Sequence, residues 1–112
     1  MARYLISFDD GWMTFPEDEL DAVAEASHAV VREAKAAGVW VFGGGLERQR
    51  AHVVAPGGTV RDGPFPEAKA VIGGFAILEV ASRDEALVWA GRIAASCRCP
   101  QEVRELMYDP ES

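Results

Sequence analysis

The chain has 112 residues, 49% hydrophobic and 26% charged, a composition that supports one folded domain, residues 1–112, with a core that needs no disulfide or metal staple. Its 11 basic and 18 acidic side chains leave a net charge of −7, which weighs against nucleic acid or an anionic membrane surface as the main partner. The N-terminus lacks the basic start and long apolar core of a signal peptide, and no apolar run reaches the length of a membrane span, so the expected location is cytoplasmic.

Arg3 to Phe8 is a short apolar run closed by Asp9-Asp10-Gly11, and it reads as a first strand. Pro16 with Glu17, Asp18 and Glu19 opens a helix expected to reach about Ala37, since proline suits a first turn and carboxylates suit the positive end of the helix dipole. Leu20, Val23, Ala24, Ser27, Val30, Val31 and Ala34 form its buried stripe, and Gly38 is a fitting C-terminal cap. Val39 to Phe42 predicts a second strand, ended by Gly43-Gly44-Gly45. Arg50 to Ala55 and Thr59 to Arg61, on either side of Pro56-Gly57-Gly58, predict a projecting hairpin.

Asp62-Gly63-Pro64 is a strong turn signal, and Gly73-Gly74 is read as a flexible pair before a core strand from Phe75 to Val80. Ser82-Arg83-Asp84-Glu85 has the pattern of a capping box opening a second helix, whose inner face carries Ala86, Ala90, Ile93, Ala94 and Cys97. Pro100 stops that helix, and Glu102 to Met107 predicts a last strand.

Strand, helix, strand, hairpin, strand, helix, strand is the split βαβ plan of a ferredoxin-like α+β fold with a β-hairpin insertion. Two helices cover one face of such a sheet, yet its strands are apolar on both faces. A homodimer with the two sheets packed face to face is the simplest closed solution.

Asp62, held at the mouth of a Gly-Pro turn, is the leading candidate for a general base, against the plainer reading that its oxygen only caps the turn. Glu79 shares a strand face with Phe75 and Ile77, and Arg104 shares one with Glu102 and Leu106. Glu79 and Arg104 are therefore candidates either to hold an anionic ligand or to form a structural ion pair. Phe75, Trp40 and Phe42 are candidate pocket walls, so the expected ligand is small and anionic or aromatic. His28, roughly 100° from the centre of the helix stripe, is a second acid–base candidate, and His52 lies among Arg48, Arg50 and Arg61 in a local basic patch. Cys97 and Cys99 are too close for an ordinary disulfide and are expected as reduced thiols. Their spacing is not that of a zinc knuckle, and the glycine triplet lacks the helix and Lys-Ser/Thr pair of a phosphate loop. No metal and no cofactor is expected.

The tetrapeptide Asp62-Gly63-Pro64-Phe65, with Leu78-Glu79-Val80 and Glu102-Val103-Arg104, resembles the DGPF branch of the YCII-related domain family. That resemblance implies a dimeric α+β barrel. It also implies a helix histidine paired with an aspartate in the wider family, whose place falls here at Ser27, next to His28. Relatives with this domain include isomerase, lyase and dehydrohalogenase enzymes, which implies a small cofactor-free acid–base enzyme acting on a small organic acid or ring compound. DGPF-type companions of extracytoplasmic-function sigma factors imply the alternative, a non-catalytic ligand-binding or regulatory module.

Overall fold

The computed structural model describes residues 1–47, 51–62 and 72–112. Strand β1 (Ala2–Asp9) leads through a turn, with Trp12 N–H donating to Asp9 O, into a single 3-10 turn (Glu17–Glu19) and helix α1 (Leu20–Ala36). There follow β2 (Trp40–Gly45), a hairpin of β3 (His52–Val54) and β4 (Val60–Asp62), then β5 (Ile72–Val80), helix α2 (Arg83–Cys97) and β6 (Glu102–Glu105). The main sheet runs β2-β5-β1-β6 with every neighbouring pair antiparallel. That is the ferredoxin-like order expected from the alternation of elements. The β3–β4 ribbon forms a separate two-stranded sheet.

The pleat divides the sheet cleanly. Tyr4 and Ile6 of β1 oppose Leu78 and Ala76 of β5, and Tyr4, Ile6, Leu78 and Val80 meet Ala86 and Ala90 of α2 in the core. Arg3, Leu5 and Ser7 oppose Glu79, Ile77 and Phe75 on the other face. The shortest dimension of the chain is 19 Å, close to that of one helix layer, about 10 Å across, laid on one sheet. The second sheet face therefore carries no layer of its own among the described residues.

Ser82 caps α2 as its sequence predicts: its hydroxyl accepts from Glu85 N–H at 3.2 Å. The Glu85 carboxylate reaches back one residue further, accepting from Ala81 N–H at 2.9 Å, so two helix-end donors are satisfied reciprocally. The helix ends with Arg98 in the left-handed conformation at φ 58°, ahead of Pro100. A salt bridge from Arg92 to Glu33 ties α2 to α1, and Arg98, just past the end of α2, reaches Glu19 of the 3-10 turn at 3.0 Å. The Arg92 guanidinium also lies 4.4 Å from the centroid of the Trp89 ring.

Two glycine runs depart from their predicted roles. Gly43-Gly44-Gly45 does not end β2; it continues the strand, opposite Ala76, Phe75 and Gly74 of β5. Gly73-Gly74 is not a free hinge but part of β5. A Cβ at Gly74 would lie 2.7 Å from the Phe8 ring, so the missing side chain is what lets that ring lie on the sheet. The Asp62 turn also differs in part. Asp62 itself is the last residue of β4, and the following Gly63-Pro64-Phe65 lies outside the described residues.

Candidate functional site

Between α1, α2 and the inner sheet face lies a cavity of about 400 Å³. It exists because all three walls carry small residues. Ala24 and Ser27 line it from α1, Gly44 and Ala76 from the sheet, and Ser96 and Cys97 from α2. In consequence, the periodic stripe of α1 is only partly packed: Val23 and Ala34 are buried, whereas Leu20 is 52% exposed. Aromatic and aliphatic groups, among them Phe8, Val31, Trp40 and Ile93, make most of the remaining wall. The polar groups at the boundary are Ser27, His28, Ser96, Cys97 and Gln101. His28 is exposed and sits at the rim.

The predicted site residues fall into three places. Asp62 stands on the exposed ribbon opposite His52, its Oδ1 3.2 Å from His52 Nε2. Antiparallel register puts the two together, a pairing the hairpin symmetry about Gly57 encodes. Arg48 and Arg50 of the basic patch lie outside the described residues.

Phe42, Phe75, Glu79 and Arg104 belong to the open sheet face, and Phe75 also borders the inner cavity. The Phe42 and Phe75 rings are 6.1 Å apart at a tilt of 49°, within the range of favourable aromatic contact. Glu79 does not meet Arg104. Its Oε2 takes Nε–H of Arg3 at 3.0 Å, because antiparallel pairing sets Arg3 directly opposite Glu79, whereas Arg104 is level with Leu5. The sequence reading overlooked Arg3, although its place at the start of the first strand marks it as the cross-strand neighbour of a residue at the end of β5. Both side chains are substantially exposed, so the pair contributes about 0–1 kcal/mol. Together they border a second hollow of about 450 Å³ with Glu105 and Tyr108.

Trp40 is separated from Phe42. Two residues apart in a regular strand would share a face, but the β2–β5 register shifts at Val41, so Trp40 opposes Leu78 and Phe42 opposes Ile77. Trp40 lines the inner cavity and packs on the core, while Phe42 points with Ile77 to the open face, 65% exposed.

At the end of α2 the structure brings Cys97, Cys99 and Gln101 together. Cys97 and Cys99 are both buried, with their sulfurs 3.4 Å apart. Gln101 Nε2 donates to Cys97 Sγ at 3.2 Å and to Cys99 Sγ at 3.4 Å. Burial, followed by the hydrogen bond to Cys97, pushes the Cys99 thiol up to about 12. On β1 the Tyr4 hydroxyl donates to Glu105 Oε1 at 3.2 Å. Burial first, then that carboxylate, holds the phenol above its ordinary range. Among the described residues no group of three or more His, Cys, Asp or Glu side chains is placed to hold a metal ion. Among the described residues no helix is long and apolar enough to cross a membrane.

The sequence model of the YCII-related domain matches residues 3–98, from the first strand to the end of α2. The chain belongs to the YCII-related domain family. A search of curated proteins finds no match. In YCII terms, the matched region holds both helices, the whole inner cavity except Gln101, and every strand but β6.

Proposed function

We propose that this YCII-related protein binds a small, largely apolar molecule, the size of one substituted ring, in the cavity under α1. The observation that carries the reading is a space of about 400 Å³ walled mainly by apolar groups, with Ser27 and His28 as hydrogen-bonding partners along α1. Ligand sites of this size and character, with few polar groups to fix orientation, are the common form. A ligand held there would connect the sheet to both helices, and binding alone is enough for an accessory or regulatory module.

A panel of single-ring aromatic acids and phenols, followed by thermal unfolding, tests this. At about 100 times Kd a binder adds roughly 2.7 kcal/mol of stability. Wild type is expected to show a raised midpoint with at least one member, and Ser27→Phe, which fills the space, is expected to show none while staying folded. Equal shifts in the two proteins would place binding elsewhere.

One observation favours a second reading, acid–base catalysis on the bound molecule: His28 borders the same cavity. An imidazole titrates nearest neutrality of the ordinary side chains and is the usual proton-transfer group. Asp62, paired with His52 on the ribbon, supports a role as base less directly. His28→Ala that keeps the ligand shift but abolishes solvent-proton exchange into a bound ring acid would support catalysis. Exchange equal to wild type would remove His28 from it.

The open sheet face supports a homodimer as the working unit. Leu5, Ile77 and Phe75, each half-buried, adjoin the exposed Phe42 on it, and an apolar patch of this kind marks an interface. Ile77→Asp would place an unpaired charge at its centre. Light scattering is expected to give a dimer for wild type and a monomer for the variant; a wild-type monomer at micromolar concentration would refute the arrangement.

A further inference from the structure

We infer that Cys97 and Cys99 form a dithiol that a small organic hydroperoxide, entering through the cavity, converts to an intramolecular disulfide. Cys97 is the last residue of α2, and Arg98 at φ 58° turns the chain back on itself. A positive φ at a non-glycine residue is uncommon, and here it reverses the direction of the chain at the helix end. The reversal brings Cys99 Sγ to 3.4 Å from Cys97 Sγ. A disulfide requires about 2.05 Å, so closure asks for a shift of about 1.4 Å shared by two side chains.

The two sulfurs have different access. Cys97 borders the cavity, whose wall also includes the exposed Leu20, His28 and Gly45. Cys99 is buried beside it and does not border the cavity among the described residues. This assigns Cys97 as the attacking sulfur and Cys99 as the one that resolves. Gln101 holds the two sulfurs side by side, its amide donating to Cys97 Sγ at 3.2 Å and to Cys99 Sγ at 3.4 Å.

The chemistry balances in two steps. The Cys97 thiolate attacks one oxygen of the hydroperoxide; the O–O bond breaks, the alkoxide leaves and takes a proton as the alcohol, and Cys97 becomes a sulfenic acid. The Cys99 sulfur then attacks Cys97 Sγ; the S–S bond forms, the S–O bond breaks, and the departing hydroxide takes the Cys99 proton as water. Two thiols lose two electrons, and the hydroperoxide becomes one alcohol and one water. In the disulfide, Gln101 loses both thiol acceptors together. Because Cys97 and Gln101 both border the cavity, closure reshapes its wall.

The test uses the full chain, reduced, freed of reductant and treated with tert-butyl hydroperoxide, read by intact mass and thiol titration. The expected product is lighter by two hydrogens, has lost both thiols together and remains unlinked to other chains on a non-reducing gel. Cys99→Ser is expected to stop after the gain of one oxygen at Cys97 and to react with dimedone, while Cys97→Ser keeps its remaining thiol. Persistence of both thiols in folded wild type overturns the inference. So does their loss only as links between chains, or only as higher oxygen adducts.

Discussion

Replacing Gly43 by alanine is expected to cost about 1–3 kcal/mol of folding stability, whereas the same change at Gly44 is expected to shift it by less than about 0.5 kcal/mol. The difference comes from what a Cβ would meet. At Gly43 it would lie 2.5 Å from Phe75 O and 2.7 Å from Ala76 Cα, both backbone atoms of the neighbouring strand, and 3.1 Å from the Trp40 ring. None of these can rotate aside: the backbone belongs to the β2–β5 ladder, and Trp40 packs on the core. At Gly44 a Cβ would meet nothing within 4 Å among the described residues. Valine at position 43 deepens the loss, because its branches enlarge the same clash. Urea unfolding of the two alanine variants separates the cases; coincident midpoints would show that β2 yields without cost.

Gly43 also shows why some of the fold was legible in the sequence and some was not. The spacing of Val23 and Ala34, the Ser82–Glu85 cap and the order of apolar runs are local patterns, and each predicts an element the protein forms. Gly43 has no such local signal. A glycine triplet after an apolar run looks like the end of a strand, and only the approach of β5 makes it a strand that excludes side chains. The shift at Val41 is of the same kind: it turns Phe42 away from Trp40 through pairing with β5, a partner some thirty residues distant.

The candidate site divides along the same line. Phe75, Glu79 and Arg104 lie on the sheet face where alternation puts them, but which charges meet depends on register, and register joined Glu79 to Arg3. The cavity was hidden for a different reason. Ala24, Ser27, Gly44, Ala76 and Ser96 are unremarkable one at a time, and their joint effect appears only when three elements bring small side chains to the same place. His28 was named as an acid–base candidate on the flank of the helix stripe, and it borders that cavity.

Above pH 9 the protein is expected to lose stability, and Cys99→Ala is expected to flatten that loss. The Cys99 thiol rises from an ordinary 9.0 to about 12 in the folded chain, first through burial and then through its contact with Cys97. Below 9.0 both folded and unfolded chains hold the proton, and the contribution of the protonated thiol is fully present. Between 9.0 and about 12 the unfolded chain releases the proton while the folded chain keeps it, so the folded state binds more protons and stability falls as pH rises. The slope approaches about 1.4 kcal/mol per pH unit at its steepest, for a total on the order of a few kcal/mol. Tyr4, raised above 10.0 by burial and by Glu105, adds a loss of the same sign. It is common to both proteins and cancels in the comparison. Cys99→Ala is less stable than wild type at pH 8, where the buried sulfur contributes packing, and the two curves converge as pH rises. Urea midpoints taken from pH 8 to pH 11 measure this. Parallel curves would mean that the folded chain releases the Cys99 proton as readily as the unfolded one, and that burial and the contact with Cys97 do not hold the thiol in its protonated form.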